Sequence, residues 1–310
     1  MKNALILTDG KAGHENQSKA LARALGCEFS ILPVKFRSPF AKALSYLLDR
    51  VSVRTMRLFE PLGSFEYGTA HPDIVIGTGS GTFYAAKALA RKLGAKCAVV
   101  LYPRGYDIDS FDCILAPAFD HPPKARNIVE IPANLVAADT AFYAAGEKAF
   151  RERHSPQLGK RACAVIVGGP NKCSSMSADW MKTQMDRIFA ATPDCEHWLT
   201  TSRRTPPDVE KVLESYPFDY ALFYSKDHFN PIPAFVQLAD VLYVTAESTG
   251  MLSEACTFGT AQVHALDNLN PGPSKFRDFI GLLVSAGHLD GNRKIDLSPI
   301  VASALAILEK

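Results

Sequence analysis

The chain has 310 residues, a mass of 33.8 kDa and a formal net charge of +2. With 47% hydrophobic and 21% charged residues it is neither disordered nor low in complexity, and it can bury a core without disulfides or metals. The near-neutral balance excludes a dedicated nucleic-acid binder, although residues 1–150 carry 18 basic against 14 acidic side chains and the remainder 16 against 18.

Short apolar runs alternate with stretches of helical periodicity. Strands are expected at Ala4–Thr8, Phe29–Pro33, Asp73–Gly77, Cys97–Leu101, Cys113–Ala116 and Ile128–Ile131, with helices at Gln17–Leu25, Pro39–Leu58 and Thr82–Leu93. A further helix, Ala137–Phe150, leads into the polar stretch RERHSPQLGKR, read as an interdomain linker. The alternation then restarts, with strands at Ala162–Val167, His197–Thr201, Tyr220–Tyr224, Val241–Thr245 and Ala261–Ala265 and a closing helix at Pro299–Glu309. This is the pattern of an α/β protein with two Rossmann-like domains, each built on a parallel sheet. The expected divisions are 1–153, 161–296 and a C-terminal helix, 297–310. No apolar run approaches the length of a membrane span, the start lacks a signal peptide's apolar core, and the seven scattered cysteines read as buried reduced thiols. A cytoplasmic location is the expectation.

In open α/β sheets, ligands bind in the loops beyond the carboxyl ends of the strands. The first such loop holds Asp9, Gly10, Lys11, Gly13, His14 and Glu15 at a helix start. Its glycines allow close backbone approach, and His14 is the candidate general base, with Asp9 and Glu15 behind it. A histidine that merely caps the helix satisfies the same sequence. The loop lacks both the dinucleotide fingerprint and the Walker pattern. A second glycine cluster, with Gly79 and Ser80, follows the third strand and suits an anion or an acceptor hydroxyl, or simply a tight turn. Arg104 lies in PRGYDID, whose Asp107 and Asp109 are a weak metal signal; no metal is called.

Three loops of the second half carry a richer set. They hold Gly168, Gly169 and Lys172; Thr201, Ser202, Arg203 and Arg204; and Glu247, Ser248, Thr249, Gly250, Met251 and Glu254. On one edge of a parallel sheet, small turns, hydroxyls, two arginines, a lysine and a helix N-terminus suit a diphosphate. Glu254 is placed to accept from ribose hydroxyls, and the Asn230–Pro231 loop to bond a base edge. A solvated loop with surface ion pairs is the plainer reading of the arginines. Residues Lys35–Arg57 hold six basic side chains and one acid around apolar positions at helical spacing. Such a helix lies on an anionic membrane surface or packs its apolar face into the core.

These segments resemble the mitochondrial-fission (elongated-mitochondria, ELM) family and its bacterial relatives, regarded as glycosyltransferases of the GT-B type. The resemblance rests on DGKAGHENQ, PDIVIGTG, GGPNK, TTSRRTP, NP and TAESTGMLSEA, and covers most of the chain. It implies two Rossmann-like domains facing a cleft, a nucleoside-diphosphate sugar bound by the second, and an acceptor bound by the first through Gly10, Lys11, Gly13, Gly79, Ser80 and Arg104. It also implies a last helix that returns to the first domain. The pattern departs from the family after Pro117, where Asp120 precedes His121. The expected activity is metal-independent sugar transfer to a hydroxyl, with the nucleotide-sugar as substrate and no cofactor. A nucleotide-sugar epimerase and a non-catalytic scaffold are the alternatives.

Overall fold

The computed structural model describes residues 3–60, 71–136 and 140–309. In chain order the elements are β1 (Asn3–Thr8), α1 (Ala12–Ala24), β2 (Glu28–Pro33), α2 (Pro39–Arg50), β3 (Ile74–Thr78), α3 (Phe83–Leu93), β4 (Lys96–Val100), β5 (Cys113–Pro117), β6 (Ile128–Ile131) and α4 (Thr140–Arg153). There follow β7 (Arg161–Ile166), α5 (Ala178–Ala191), β8 (Cys195–Thr200), α6 (Pro207–Leu213), β9 (Tyr220–Leu222), α7 (Ile232–Leu238), β10 (Val241–Thr245), α8 (Thr249–Thr257), β11 (Gln262–Leu266), α9 (Lys275–Ser285) and α10 (Ser298–Leu308).

The chain divides into two compact units, Met1–Ala138 with Asp296–Lys310, and Asp139–Ile295. The first is built on a six-stranded sheet of order β2-β1-β3-β4-β5-β6, every pairing parallel. The inner strands β1, β3, β4 and β5 are continuous apolar runs because both faces are covered, while the edge strands β2 and β6 are partly exposed. Alternation divides the side chains: Leu5, Leu7, Val75, Val99 and Ile114 join the core that includes α3, while Ala4, Ile6, Ile74, Ile76 and Leu115 join the opposite core. The latter is completed by Ala20 and Leu21 of α1 and by Ile300, Ala304 and Leu308 of α10.

The second unit holds the parallel order β11-β10-β7-β8-β9. Cys163, Val165 and Leu199 face Met181, Met185 and Ile188 of α5 and Val209 and Leu213 of α6. The sequence reading had the Ala137–Phe150 helix close the first domain, but α4 belongs to the second unit. Phe150 is fully buried, its ring 5.1 Å from Trp198, 4.8 Å from Tyr220 and 5.6 Å from Phe235. Gly146 lets α4 approach α7 so closely that a Cβ there would meet Pro233 Cβ at 2.6 Å. The RERHSPQLGKR stretch is therefore internal to this unit: His154 bonds the Glu196 carboxylate, and the Gln157 N–H donates to it at 2.7 Å.

A second correction concerns α2, expected to reach Leu58. It ends at Arg50, where Ser52 takes a positive φ of 55° and Arg54 folds back to donate to the Asp49 carbonyl at 3.2 Å. The β-branched Val51, Val53 and Thr55 favour that exit. Six of the seven cysteines are buried and all are unpaired; burial pushes Cys163 and Cys256 up to about 12, which leaves them inert.

Candidate functional site

Each sheet reverses strand order once. In the first unit β1 leads to β2 on one side and β3 lies on the other; in the second, β8 and β10 flank β7. A crevice opens at the carboxyl ends of such strand pairs. The loops after β1 and β3, and those after β7 and β10, are where the sequence placed its chemistry.

In the first unit the chain leaves β1 through an Asx turn. Gly10 takes φ +80°, and the Asp9 carboxylate accepts the Lys11 N–H at 3.3 Å and the Lys11 ammonium at 3.0 Å. Helix α1 then begins at Ala12 rather than Gln17, which sets His14 in its first turn. His14 Nδ1 lies 3.1 Å from both Asp9 carboxylate oxygens. The glycine loop after β3 supplies the seat. A Cβ on Gly79 would lie 2.4 Å from His14 Cε1, and one on Gly81 would lie 2.8 Å from Asp9 Cβ. The loop is held by a buried 2.7 Å contact between Ser18 and Thr78 hydroxyls and by Thr82, whose hydroxyl donates to the Gly79 carbonyl at 3.0 Å. Burial would raise the Asp9 carboxyl, but the Lys11 hydrogen bond and the His14 ring outweigh it and hold it below its ordinary range.

The result is an oriented Asp–His pair. The ring's Nδ1 edge faces Asp9, and Nε2 has no bond among the described residues. The side chain remains 23% exposed. Glu15 is turned away: it pairs with Lys19 at 2.7 Å, and the Lys19 and Thr8 hydrogen bonds hold its carboxyl low. Ser80 accepts from Lys42 at 2.9 Å. Arg104 is engaged elsewhere, donating to the Asp120 carbonyl and lying over the Tyr102 ring at 5.5 Å. The Asp107 carboxylate accepts the Asp109 N–H at 3.1 Å, a local cap.

In the second unit the three predicted loops meet, around a hub the sequence did not identify as one. Glu247 is 4% exposed. Its Oε1 accepts the Gly169 N–H at 2.8 Å and the Thr245 hydroxyl at 3.1 Å, and its Oε2 accepts from Asn268 Nδ2 at 2.7 Å. Gly168 N–H donates to the Thr245 hydroxyl oxygen at 2.9 Å, and its carbonyl accepts from the Thr205 hydroxyl at 2.6 Å. The glycines are required by space. A Cβ on Gly168 would fall 2.0 Å from Glu247 Oε1, and one on Gly169 2.2 Å from the Arg204 carbonyl oxygen.

Several residues assigned to a ligand also make bonds within the unit. The Gly168 and Gly169 N–H groups and the Glu247 carboxylate are consumed within the protein. Arg204 donates to the Gly169 carbonyl at 3.0 Å. The Thr201 hydroxyl donates to Glu210 at 2.5 Å and accepts the Tyr224 N–H at 2.8 Å, and Ser202 bonds Thr205 and the Arg204 N–H. The Asn230 side chain accepts the Ile232 N–H at 3.2 Å as a cap of α7. Glu254 is inside the unit: it accepts from the Tyr143 hydroxyl at 2.8 Å, and burial pushes its carboxyl up against that bond.

What the hub leaves exposed is a smaller set. Arg203 and Lys172 are exposed and make no side-chain bond among the described residues. Helix α8 starts at Thr249 with no side-chain cap from Ser248, and Gly250 and Met251 lie in its first turn. Sequence reasoning missed Asn268 and Thr205 as braces. Asn268 sits two residues beyond β11, and that strand's exit loop was not read for chemistry.

Two Rossmann-like units on parallel sheets define a GT-B-type α/β protein. The chain belongs to the mitochondrial fission ELM1 family, whose sequence model matches residues 12–292. The mitochondrial fission protein ELM1 of Arabidopsis thaliana is 24% identical over 331 residues, covering 84% of this chain and 77% of that protein. Among solved structures, the S. aureus MnaA–UDP complex aligns with a TM-score of 0.51 at 15% identity over 100% of this chain and 88% of that one. The Neisseria meningitidis UDP-GlcNAc 2-epimerase bound to UDP-GlcNAc aligns with a TM-score of 0.52 at 12% identity over 100% and 99%. These identities carry the fold and nothing finer.

Proposed function

We propose that the protein is a glycosyltransferase that moves a sugar from a nucleoside diphosphate to an acceptor hydroxyl. The observation that carries the reading is the Asp9–His14 pair, seated on Gly79 and Gly81 at the switch point of the first sheet with Nε2 unbonded. A scaffold has no use for an oriented imidazole with an open lone pair. A transferase needs one to take the acceptor proton.

In this reading the acceptor oxygen bonds the anomeric carbon as the bond from that carbon to the diphosphate breaks. The hydroxyl proton goes to His14 Nε2, and the nucleoside diphosphate departs with the bonding pair. Asp9 holds the tautomer and stabilises the imidazolium that forms, the role the third member of a catalytic triad plays. The leaving diphosphate gains charge, and Arg203, Lys172 and the first turn of α8 are the groups in the second unit that can meet it. Glu247 and Asn268 are positioning residues that fix the loops on which those groups stand.

That two structures of this fold hold UDP or UDP-GlcNAc makes UDP the first nucleotide to test. The epimerase reading shares the donor site and differs at the sugar. Incubating the protein with UDP-GlcNAc in deuterium oxide separates the two. Transfer gives no exchange at the sugar ring and requires an acceptor; epimerisation exchanges the ring hydrogen without one. Loss of transfer in His14→Ala with UDP affinity intact supports the assignment. Full transfer in that variant contradicts it.

A further inference from the structure

Helix α2 packs Leu44, Tyr46 and Leu48 partly against the core and turns a polar strip inward beside them. Ala41, Ser45 and Asp49 are the buried positions, and a polar network fixes them there. Ser45 Oγ meets the Tyr106 hydroxyl at 2.8 Å, while Asp49 accepts from Lys87 at 2.9 Å and Arg54 at 3.1 Å. The opposite side is apolar and faces solvent: Phe40 is 76% exposed, Leu47 60% and Val51, just past the helix end, 67%. Positions 40, 47 and 51 fall on one stripe of a 3.6-residue helix. Val53 extends it at 42%. Large apolar side chains in a contiguous exposed row are a recognition surface, not a random scatter.

The surrounding charge identifies the partner. Asp49 is the one acid within Lys35–Arg57, and it is buried against Lys87 and Arg54. The charge this segment offers to solvent is therefore positive. Arg37, Arg50 and Arg57 are exposed, none pairs with an acid among the described residues, and Lys35 pairs with Glu60 at 2.9 Å. An apolar row bordered by arginines complements an anionic lipid surface, with Phe40 and Leu47 at the acyl boundary and the guanidinium groups among the headgroups. A second copy of the chain would bring the same cations face to face.

We propose that α2, with the segment to Arg57, is a docking face for an anionic membrane surface. The helix is also tied to the candidate site. Lys42 donates to Ser80 at 2.9 Å, in the loop whose Gly79 and Gly81 seat the Asp–His pair. On the transferase reading, on which this clause rests, the acceptor hydroxyl is carried by a lipid of that surface.

The test is co-sedimentation of the full chain with phosphatidylcholine vesicles, with and without phosphatidylglycerol. The wild type binds the phosphatidylglycerol vesicles, and added salt weakens binding. F40S/L47S and R50E/R57E each lower it at least about tenfold. All four side chains are exposed, so both variants keep the wild-type melting temperature. Binding to neither vesicle, equal binding to both, or undiminished binding by F40S/L47S overturns the docking face. So does self-association that F40S/L47S abolishes without any vesicle binding. UDP titration of the wild type keeps the two proposals apart: no vesicle binding by a wild type that binds UDP overturns docking alone. Vesicle binding without any UDP binding overturns the lipid-acceptor clause together with the transferase reading.

Discussion

His14 packs flat against the backbone of Gly79, leaving no room for a methyl group: a Cβ there would lie 2.4 Å from Cε1 and 2.7 Å from Nδ1. Gly79 also has φ +80°, a conformation that costs other residues about 1–2 kcal/mol. Gly79→Ala therefore displaces the imidazole from Asp9 and strains the turn together. The melting temperature falls, and turnover falls by more than the lost stability explains. A variant with reduced stability but unchanged turnover would separate the loop from the chemistry.

The base itself is tested by His14→Ala. General-base catalysis contributes typically about 10²–10⁴-fold, and kcat should fall by that factor with the UDP dissociation constant unchanged. Asp9→Asn should cost less, because the ring keeps its place against Gly79 while losing its anionic partner. The variant also has a signature in stability. The Asp9 carboxyl is held below its reference value of 3.8, so the ionised pair's stabilisation is present above that pH and lost as pH falls through the folded value. Melting curves of wild type and Asp9→Asn differ at pH 7 and converge only as the pH falls below the Asp9 folded value, itself lower than 3.8.

Glu247 accepts three hydrogen bonds from Gly169, Thr245 and Asn268 in a buried site. Glu247→Ala leaves those donors unpaired. At about 1–3 kcal/mol for a buried unsatisfied group, the cost is readily seen in chemical denaturation. UDP binding should weaken as well, since the loops bearing Arg203 and the α8 turn lose their common anchor. Glu247→Gln is the gentler probe, restoring shape but presenting an amide where a donor already points.

Much of this was legible in the residues. The alternation of short apolar runs with helical stretches located the eleven strands among the described residues, most clearly the inner ones, because strands buried on both faces cannot hide among polar residues. The loops with chemistry were found for the same reason: parallel topology puts them on one edge. The sequence did not separate residues that meet a ligand from residues that hold the loops together. Gly168, Glu247, Thr201 and Glu254 have the composition of a phosphate site, yet their polar atoms are bonded to Thr245, Thr205, Asn268, Glu210 and Tyr143. Such pairings run over long sequence separations, and no local pattern encodes them. Helix α4 was assigned to the wrong unit for a related reason. Its periodicity marks an apolar face, but only the fold shows that the face meets Trp198 and Phe235.

Glu254 offers a prediction of opposite sign. Burial pushes its carboxyl above the reference 4.5, with the Tyr143 hydroxyl opposing. Its contribution is fully favourable below pH 4.5 and is lost as pH rises through the folded value. Glu254→Gln removes that loss while its amide oxygen still accepts from Tyr143. The variant should melt higher than wild type at pH 8 and close to it at pH 4. A lower melting temperature at pH 8 would mean that the ionised carboxylate is itself a structural requirement.

The measurement that bears most directly on the account is calorimetric titration of UDP into the wild-type protein and into Arg203→Ala. Arg203 is exposed and makes no side-chain bond among the described residues, so its loss should leave the fold intact. The account predicts saturable one-to-one binding by the wild type, weakened at least about tenfold in the variant, as expected for a charge-assisted contact. Absence of heat with UDP and with the other nucleoside diphosphates at millimolar concentration, or equal affinity of the two proteins for UDP, would contradict the donor site described here.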